Sequence, residues 1–221
     1  MIEPWPSVGH VYAEVARVRG HARLDVARLN RQFREAWSRR ETFDYSLSSW
    51  QAIVVDTFAG LLRGAQAEAL FDDLYQHFSL ADPWRIFPDA LPALEAARAA
   101  GLRLGVISNW DERLRPLLDR LGLREYFEVL IISHEHGRTK PDEALFRAAA
   151  QAFGLEPALV CHVGDSHRED VLGARAAGFG AAWLCRSGEG RRREGELCCL
   201  TELAEILGAP RAAEGMDKEK F

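Results

Sequence analysis

Apolar residues in the first third of the chain recur at helical spacing. Val8, Val11, Tyr12, Val15 and Val18 fall on one stripe, and Leu29, Phe33 and Trp37 on another, the period of a helix with one buried face. Trp50, Ile53, Phe58 and Leu61, then Leu70, Leu74 and Phe78, keep that period. Residues 7–80 therefore predict a bundle of about four helices with no strand. The steps Asp82-Pro83 and Phe87-Pro88 interrupt the pattern, because the residue before a proline is pushed out of the helical region.

Beyond residue 88 the pattern alternates. A helix over 89–100 ends at Gly101, and the apolar run 102–107 predicts a short buried parallel strand. Helix 111–121 then leads to strand 127–132, helix 142–153 to strand 158–163, and helix 168–177 to strand 180–185. Helices regularly interleaved with short apolar strands predict an α/β fold with a doubly wound parallel sheet. The tail 208–221 is rich in Ala, Glu and Lys; it has little to bury and is expected to fray.

The chain has 221 residues, 48% of them hydrophobic, enough for one sizeable core with a smaller appended module. A net charge of -5 and a pI near 5.8 argue against nucleic-acid or membrane-surface partners, which favour an excess of Lys and Arg. No stretch approaches the roughly 20 apolar residues of a membrane helix, and no secretory pattern opens the chain. These features place it in the cytosol. Cys161, Cys185, Cys198 and Cys199 lack paired metal-ligand spacing and read as reduced thiols, two of them in buried strands. Cys198 and Cys199 are neighbours whose side chains point to opposite faces of an extended segment. Arg191, Arg192 and Arg193 stand among Glu189, Glu194 and Glu196, which reads as a solvated loop.

In an open parallel sheet, ligands bind beyond the carboxyl ends of the strands. Three successive strands here end in polar residues. Ser108 and Asn109 follow the first, where a hydroxyl, an amide and the start of a helix suit a phosphate; capping of that helix by Ser108, Asn109 or Asp111 is the competing account. After the second strand comes Lys140, just before Pro141 at a helix start. Its ammonium can neutralise a phosphoryl group or a carboxylate, or simply be a solvated charge. His134 and His136 lack a third ligand and make a weak metal motif. The strongest signal is Gly164-Asp165 with Asp170 and Gly173-Ala174. Two carboxylates beside a phosphate site suit Mg²⁺, although a turn role for Asp165 and a helix-dipole role for Asp170 explain each singly.

The series Ser108-Asn109, Lys140-Pro141-Asp142, Gly164-Asp165 with Asp170 and Gly173-Ala174 resembles the second, third and fourth motifs of the haloacid dehalogenase-like hydrolase superfamily. The resemblance covers about residues 86–186, and the helical stretch before it looks like a small α-helical cap. It implies a cap over 1–85, an α/β core over 86–207 and a tail from 208. It also implies that Ser108 and Asn109 hold phosphoryl oxygens, that Lys140 stabilises charge on nucleophile and substrate, and that Asp165 and Asp170 bind Mg²⁺.

The family's first motif is an apolar strand ending in Asp-x-x-x-Thr-Leu, whose first Asp is the nucleophile, and this sequence has no such strand. Asp25, Asp44 and Asp56 lie in cap sequence, and Glu3 comes too late. That strand lies mid-sheet in the family, so its loss leaves two inner edges unpaired, at about 1–3 kcal/mol per orphaned buried group. The expectation is a magnesium-dependent phosphatase for a small phosphorylated metabolite, acting through an aspartyl-phosphate, here truncated at the N-terminus and nearly inactive. The alternatives are a non-catalytic interaction protein on the same scaffold and a 2-haloacid dehalogenase, which needs no metal.

Overall fold

The computed structural model describes residues 1–40, 42–186 and 195–203. The arginine run 191–193 and the tail 208–221 lie outside the described residues.

Among the described residues the helical segment holds five helices rather than about four: α1 (Val8–Val18), α2 (Val26–Ser38), α3 (Leu47–Thr57), α4 (Gly64–Glu68) and α5 (Phe71–His77). Side chains start the first three. Ser7 accepts from His10 N, Asp25 from Ala27 N and Arg28 N, and Ser46 from Ser49 N, each satisfying amides that a helix start leaves open. Their apolar stripes meet around Tyr12, Leu29, Val54, Phe58, Leu70 and Leu74.

A two-stranded antiparallel ladder, β1 (Ile2–Pro4) with β2 (Trp84–Ile86), connects the two regions and was not expected from the sequence. Then follow α6 (Ala90–Ala99), β3 (Gly105–Ser108), α7 (Leu114–Arg120), β4 (Val129–Ile132), the single turn α8 (Ser133–His136), α9 (Glu143–Phe153), β5 (Cys161–Gly164), a π-turn over His167–Leu172, α10 (Gly173–Ala176), β6 (Gly180–Leu184) and β7 (Glu196–Leu197). This is the α/β alternation predicted, with shorter strands. Leu102 is 39% exposed and Leu159 is 71% exposed; the latter sits in a 3₁₀ turn begun by Pro157, whose fixed φ suits a helical turn rather than a strand. The cysteines also need correction. Cys161 is exposed, because it opens a strand whose inner edge has no neighbour among the described residues, and the other three are half-buried.

That edge is the main topological feature. β3 pairs in parallel with β4, Val106 opposite Leu130, and β5, β6 and β7 form a second parallel set. Among the described residues no ladder joins β3 to β5. Between them runs a slot of about 320 Å³, lined by Gly105, Ile107, Cys161 and Val163 among others. Two helices span it. On one face, α9 packs Leu145, Ala149 and Phe153 against Val129 and Ile131 of β4. Its Phe146 and Ala150 meet Ala174 and Phe179 on the β5–β6 side. On the other face, α6 sets Leu94 against Val106 and Leu130, and Ala90 against Ala182 and Leu184. Among the described residues no helix is long and apolar enough to cross a membrane.

Candidate active site

The carboxyl ends of β3, β4 and β5 all open onto one rim, and Asn109 joins them. Its Oδ1 accepts from Lys140 N at 2.6 Å, and its Nδ2 donates to Lys140 O at 3.1 Å and to Glu169 Oε2 at 3.1 Å. The paired bonds to the Lys140 peptide hold that residue's backbone as a strand partner would. Next to Asn109, Trp110 N donates to Ser133 Oγ, which donates back to Trp110 O at 3.0 Å. Ser133 is buried, so the loop after β3 is tied to the end of β4. Ser108 ends β3 opposite Ile132, half-buried.

Lys140 Nζ donates to Asp170 Oδ1 at 2.5 Å. His162 Nε2 lies 2.9 Å from the same oxygen, and Ser166 N donates to Asp170 Oδ2 at 2.9 Å. Asp170 is 2% exposed. Burial alone would raise its carboxyl, but the His162 hydrogen bond and the charge and hydrogen bond of Lys140 outweigh that and hold it well below the usual carboxylate range. Glu169 goes the other way. Burial, with the Asp170 charge adding to it, raises this carboxyl against the attraction of Lys140 and the bond from Asn109. A Cβ on residue 164 would stand 2.1 Å from Asp170 Cγ, so only glycine fits there. The π-turn, with Asp170 N donating to Ser166 O at 2.8 Å, turns Glu169 and Asp170 together to the rim. Such turns are frequent at functional sites.

Asn109, Lys140 and Asp170, inferred from strand-end position, thus come together. Asp165 stands at the same strand end, exposed, with its carbonyl accepting from Trp183 Nε1 at 3.0 Å. Glu169 and His162 belong to the constellation and were not singled out from sequence. His162 had a signal: it shares a face of β5 with Gly164. As for a metal, the hard carboxylate oxygens suit Mg²⁺. Asp165 is open, whereas Asp170 is engaged by protein partners, and no group of three or more donors is assembled among the described residues. Two carboxylates plus water and phosphate oxygens can satisfy Mg²⁺, so the residues fit that ion with ligands still to be added. Asp25 caps α2, Asp44 accepts from Ser46 and Ser49, Asp56 pairs with Arg40 and Glu3 with Arg85. None of these four reaches the rim.

The helical segment 7–80 is docked beside this rim. Trp50 Nε1 donates to Asp111 Oδ2 at 2.6 Å, and Tyr75 Oη to Glu112 Oε1 at 2.7 Å. Asp111, fully buried, takes both Nε and Nη2 of Arg113, whose Nη1 donates to Tyr75 O. This ion pair occupies residues 111–113, which explains why α7 starts at 114 rather than 111.

A helical segment beside a parallel α/β sheet, with an amide, a lysine and carboxylates at the strand ends where such sheets bind ligands, defines an α/β protein with a polar binding rim. The profile of the family described as "haloacid dehalogenase-like hydrolase" matches residues 8–178, and the chain belongs to that family. It is 37% identical over 183 residues to haloacid dehalogenase-like hydrolase domain-containing protein 3 of Mus musculus, covering 78% of this chain and 72% of that one. It is 42% identical over 102 residues to a phosphoserine phosphatase of Thermus thermophilus, 46% of this chain and 41% of that protein. A solved phosphatase of the family from Thermococcus onnurineus superposes with a TM-score of 0.65 at 27% identity, covering 92% and 89% of the two chains.

Proposed function

We propose that this chain is the phosphate- and magnesium-binding body of a phosphoric monoester hydrolase acting on a small phosphorylated metabolite. The observation that carries the reading is Asn109, whose side chain links the Lys140 peptide and Glu169 and so gathers three strand ends around one spot. Asn109 and Ser108 would hold phosphoryl oxygens. Lys140 would move from Asp170 toward the added charge of the phosphate, a short swing for a flexible ammonium. Asp165 and Asp170 would hold Mg²⁺, which supplies neutralisation of the phosphoryl oxygens. His162 and Ser166 N keep Asp170 ionised and in place.

The chemistry needs a nucleophile. An aspartate oxygen would attack phosphorus and expel the alcohol, and water would then cleave the aspartyl-phosphate to inorganic phosphate, regenerating the carboxylate. None of the described carboxylates is placed to do this. The slot between β3 and β5 supports the inference that an extended strand seated there, with an aspartate at its carboxyl end, completes the site. The chain by itself is then nearly inactive.

The test is a magnesium-dependent phosphatase assay on the chain alone and on a form extended at its N-terminus by an apolar strand ending in Asp-x-x-x-Thr-Leu. The extended form should turn over and the chain alone should not; robust turnover by the chain alone refutes the reading. A second reading, a non-catalytic interaction protein, has one observation in its favour: Lys140 and Asp170 satisfy each other. A stable chain that binds no phosphate, with or without Mg²⁺, would support it.

A further inference from the structure

Between cap and core lies a partly open cavity of about 220 Å³, with Asn109 in its lining. We propose that this cavity takes the alcohol part of the phosphate ester, and that this part is an aromatic group of one or two rings that carries no anionic substituent. The inference rests on the phosphatase reading above, since it assigns the leaving group of that same site.

The lining is aromatic from both sides: Trp37, Tyr45 and Trp50 from the cap, Trp84 and Trp110 from the core. The rings are already arranged for stacking. Trp37 and Trp50 lie 5.7 Å apart with planes at 29°, Trp84 and Trp110 lie 5.2 Å apart, and Phe43 sits edge-on to Trp50 at 4.9 Å. Tyr45 adopts φ +60°, an uncommon conformation for a bulky residue. It is nonetheless buried, packed on Phe43, Trp37 and Trp50. Strained residues held by their surroundings gather at ligand clamps.

Charge decides the class of ligand. Among the described residues the one charged side chain in the lining is Arg113, and its charge is already matched by a carboxylate. Both oxygens of the buried Asp111 face it at 2.8 and 2.6 Å, its Nη1 donates to Tyr75 O at 3.1 Å, and the Tyr75 ring covers it at 3.7 Å. A leaving group bearing a carboxylate, such as that of a phospho-amino acid, would be desolvated there without a free cation as partner, which is strongly unfavourable. A neutral ring instead finds faces and edges to stack on. The volume falls below the roughly 300–1,000 Å³ of pockets for drug-sized ligands, which restricts the group to one or two rings.

The test uses the chain as it stands, so it does not depend on turnover. Binding of inorganic phosphate, O-phosphoserine and 2-naphthyl phosphate is measured by calorimetry with Mg²⁺ present. The naphthyl ester should bind at least about tenfold tighter than either of the others, the gain from burying one ring system. Trp37→Leu, at a partly exposed position, and Val8→Phe, which fills the cavity from the opposite wall, should each remove that gain and leave phosphate binding unchanged. Equal binding of the naphthyl ester and O-phosphoserine, with phosphate still bound, overturns the leaving-group assignment and spares the phosphatase reading. Failure of inorganic phosphate to bind sinks the phosphatase reading, and this assignment with it.

Discussion

Asp170→Asn isolates the electrostatics of the rim, because it keeps the shape of the side chain and removes its charge. In the native chain the Lys140 ammonium, its side chain about one-tenth exposed, has its counter-charge 2.5 Å away on Asp170. Removing one partner of a buried pair costs about 3–5 kcal/mol, since the remaining charge is left uncompensated. Glu169 lies near enough to attract Lys140, so the lower end, about 3 kcal/mol, is expected. For a chain of this size that lowers the melting temperature by about 6–12 °C at pH 7. The double variant with Lys140→Met should recover part of the loss, because no orphaned ammonium remains. The pH dependence has a definite sign. A carboxyl held lower in the folded chain than in the unfolded one stabilises above its unfolded value, near pH 3.9, and that contribution is lost as pH falls through the folded value. Glu169, raised on folding, contributes below its unfolded value and loses that contribution as pH rises through the folded one. Native stability should therefore fall steeply below about pH 4, and the Asp170→Asn curve should be flatter there. A loss under about 1 kcal/mol, or a double variant worse than the sum of the singles, would refute the buried-pair account.

Gly164→Ala forces a methyl to within 2.1 Å of Asp170 Cγ. It should lower the denaturant midpoint by about 1–3 kcal/mol equivalent at constant slope and weaken phosphate binding; an alanine tolerated without either effect contradicts the geometry. Arg113→Met leaves Asp111 buried with only Trp50 and a backbone amide as donors, an expected loss of about 3–5 kcal/mol by chemical denaturation. Asn109→Ala removes the link between Lys140 and Glu169; calorimetry should show phosphate affinity falling at least about tenfold, roughly the worth of one charge-assisted hydrogen bond.

The legible parts of this molecule were those with long periodicity or a fixed place in the sheet. The stripe through Val11, Tyr12 and Val15 needed only the helical period, and α9 kept its predicted limits within a residue because Asp142 caps it and Gly154, in the left-handed conformation, ends it. Asn109, Lys140 and Asp170 could be expected to lie together because strand-end residues of a parallel sheet share one edge, whatever the side-chain contacts. What stayed hidden has short or tertiary causes. The β1–β2 ladder is three residues a side, too short for alternation to register. The π-turn at His167–Leu172 depends on Asp170 reaching across to His162 and Lys140, contacts eight and thirty residues distant. Asp111 and Arg113 look like helix-start polar residues until Trp50, some sixty positions earlier, is laid against them.

The divided sheet explains how such a rim persists without a strand at its centre. Two half-sheets that share no ladder would splay if their faces were covered separately. Here each covering helix is shared: α9 uses its Leu145–Ala149–Phe153 stripe for one half and Phe146–Ala150 for the other, and α6 divides Leu94 and Ala90 in the same way. Burying one Leu or Phe side chain contributes about 1.5–3 kcal/mol, so the few that straddle the slot can offset several unpaired edge groups at about 1–3 kcal/mol each. The polar rim adds a third crossing at the carboxyl end, where Asn109 after β3 donates to Glu169 after β5. The bond that signals the site is thus also one of the ties across the slot.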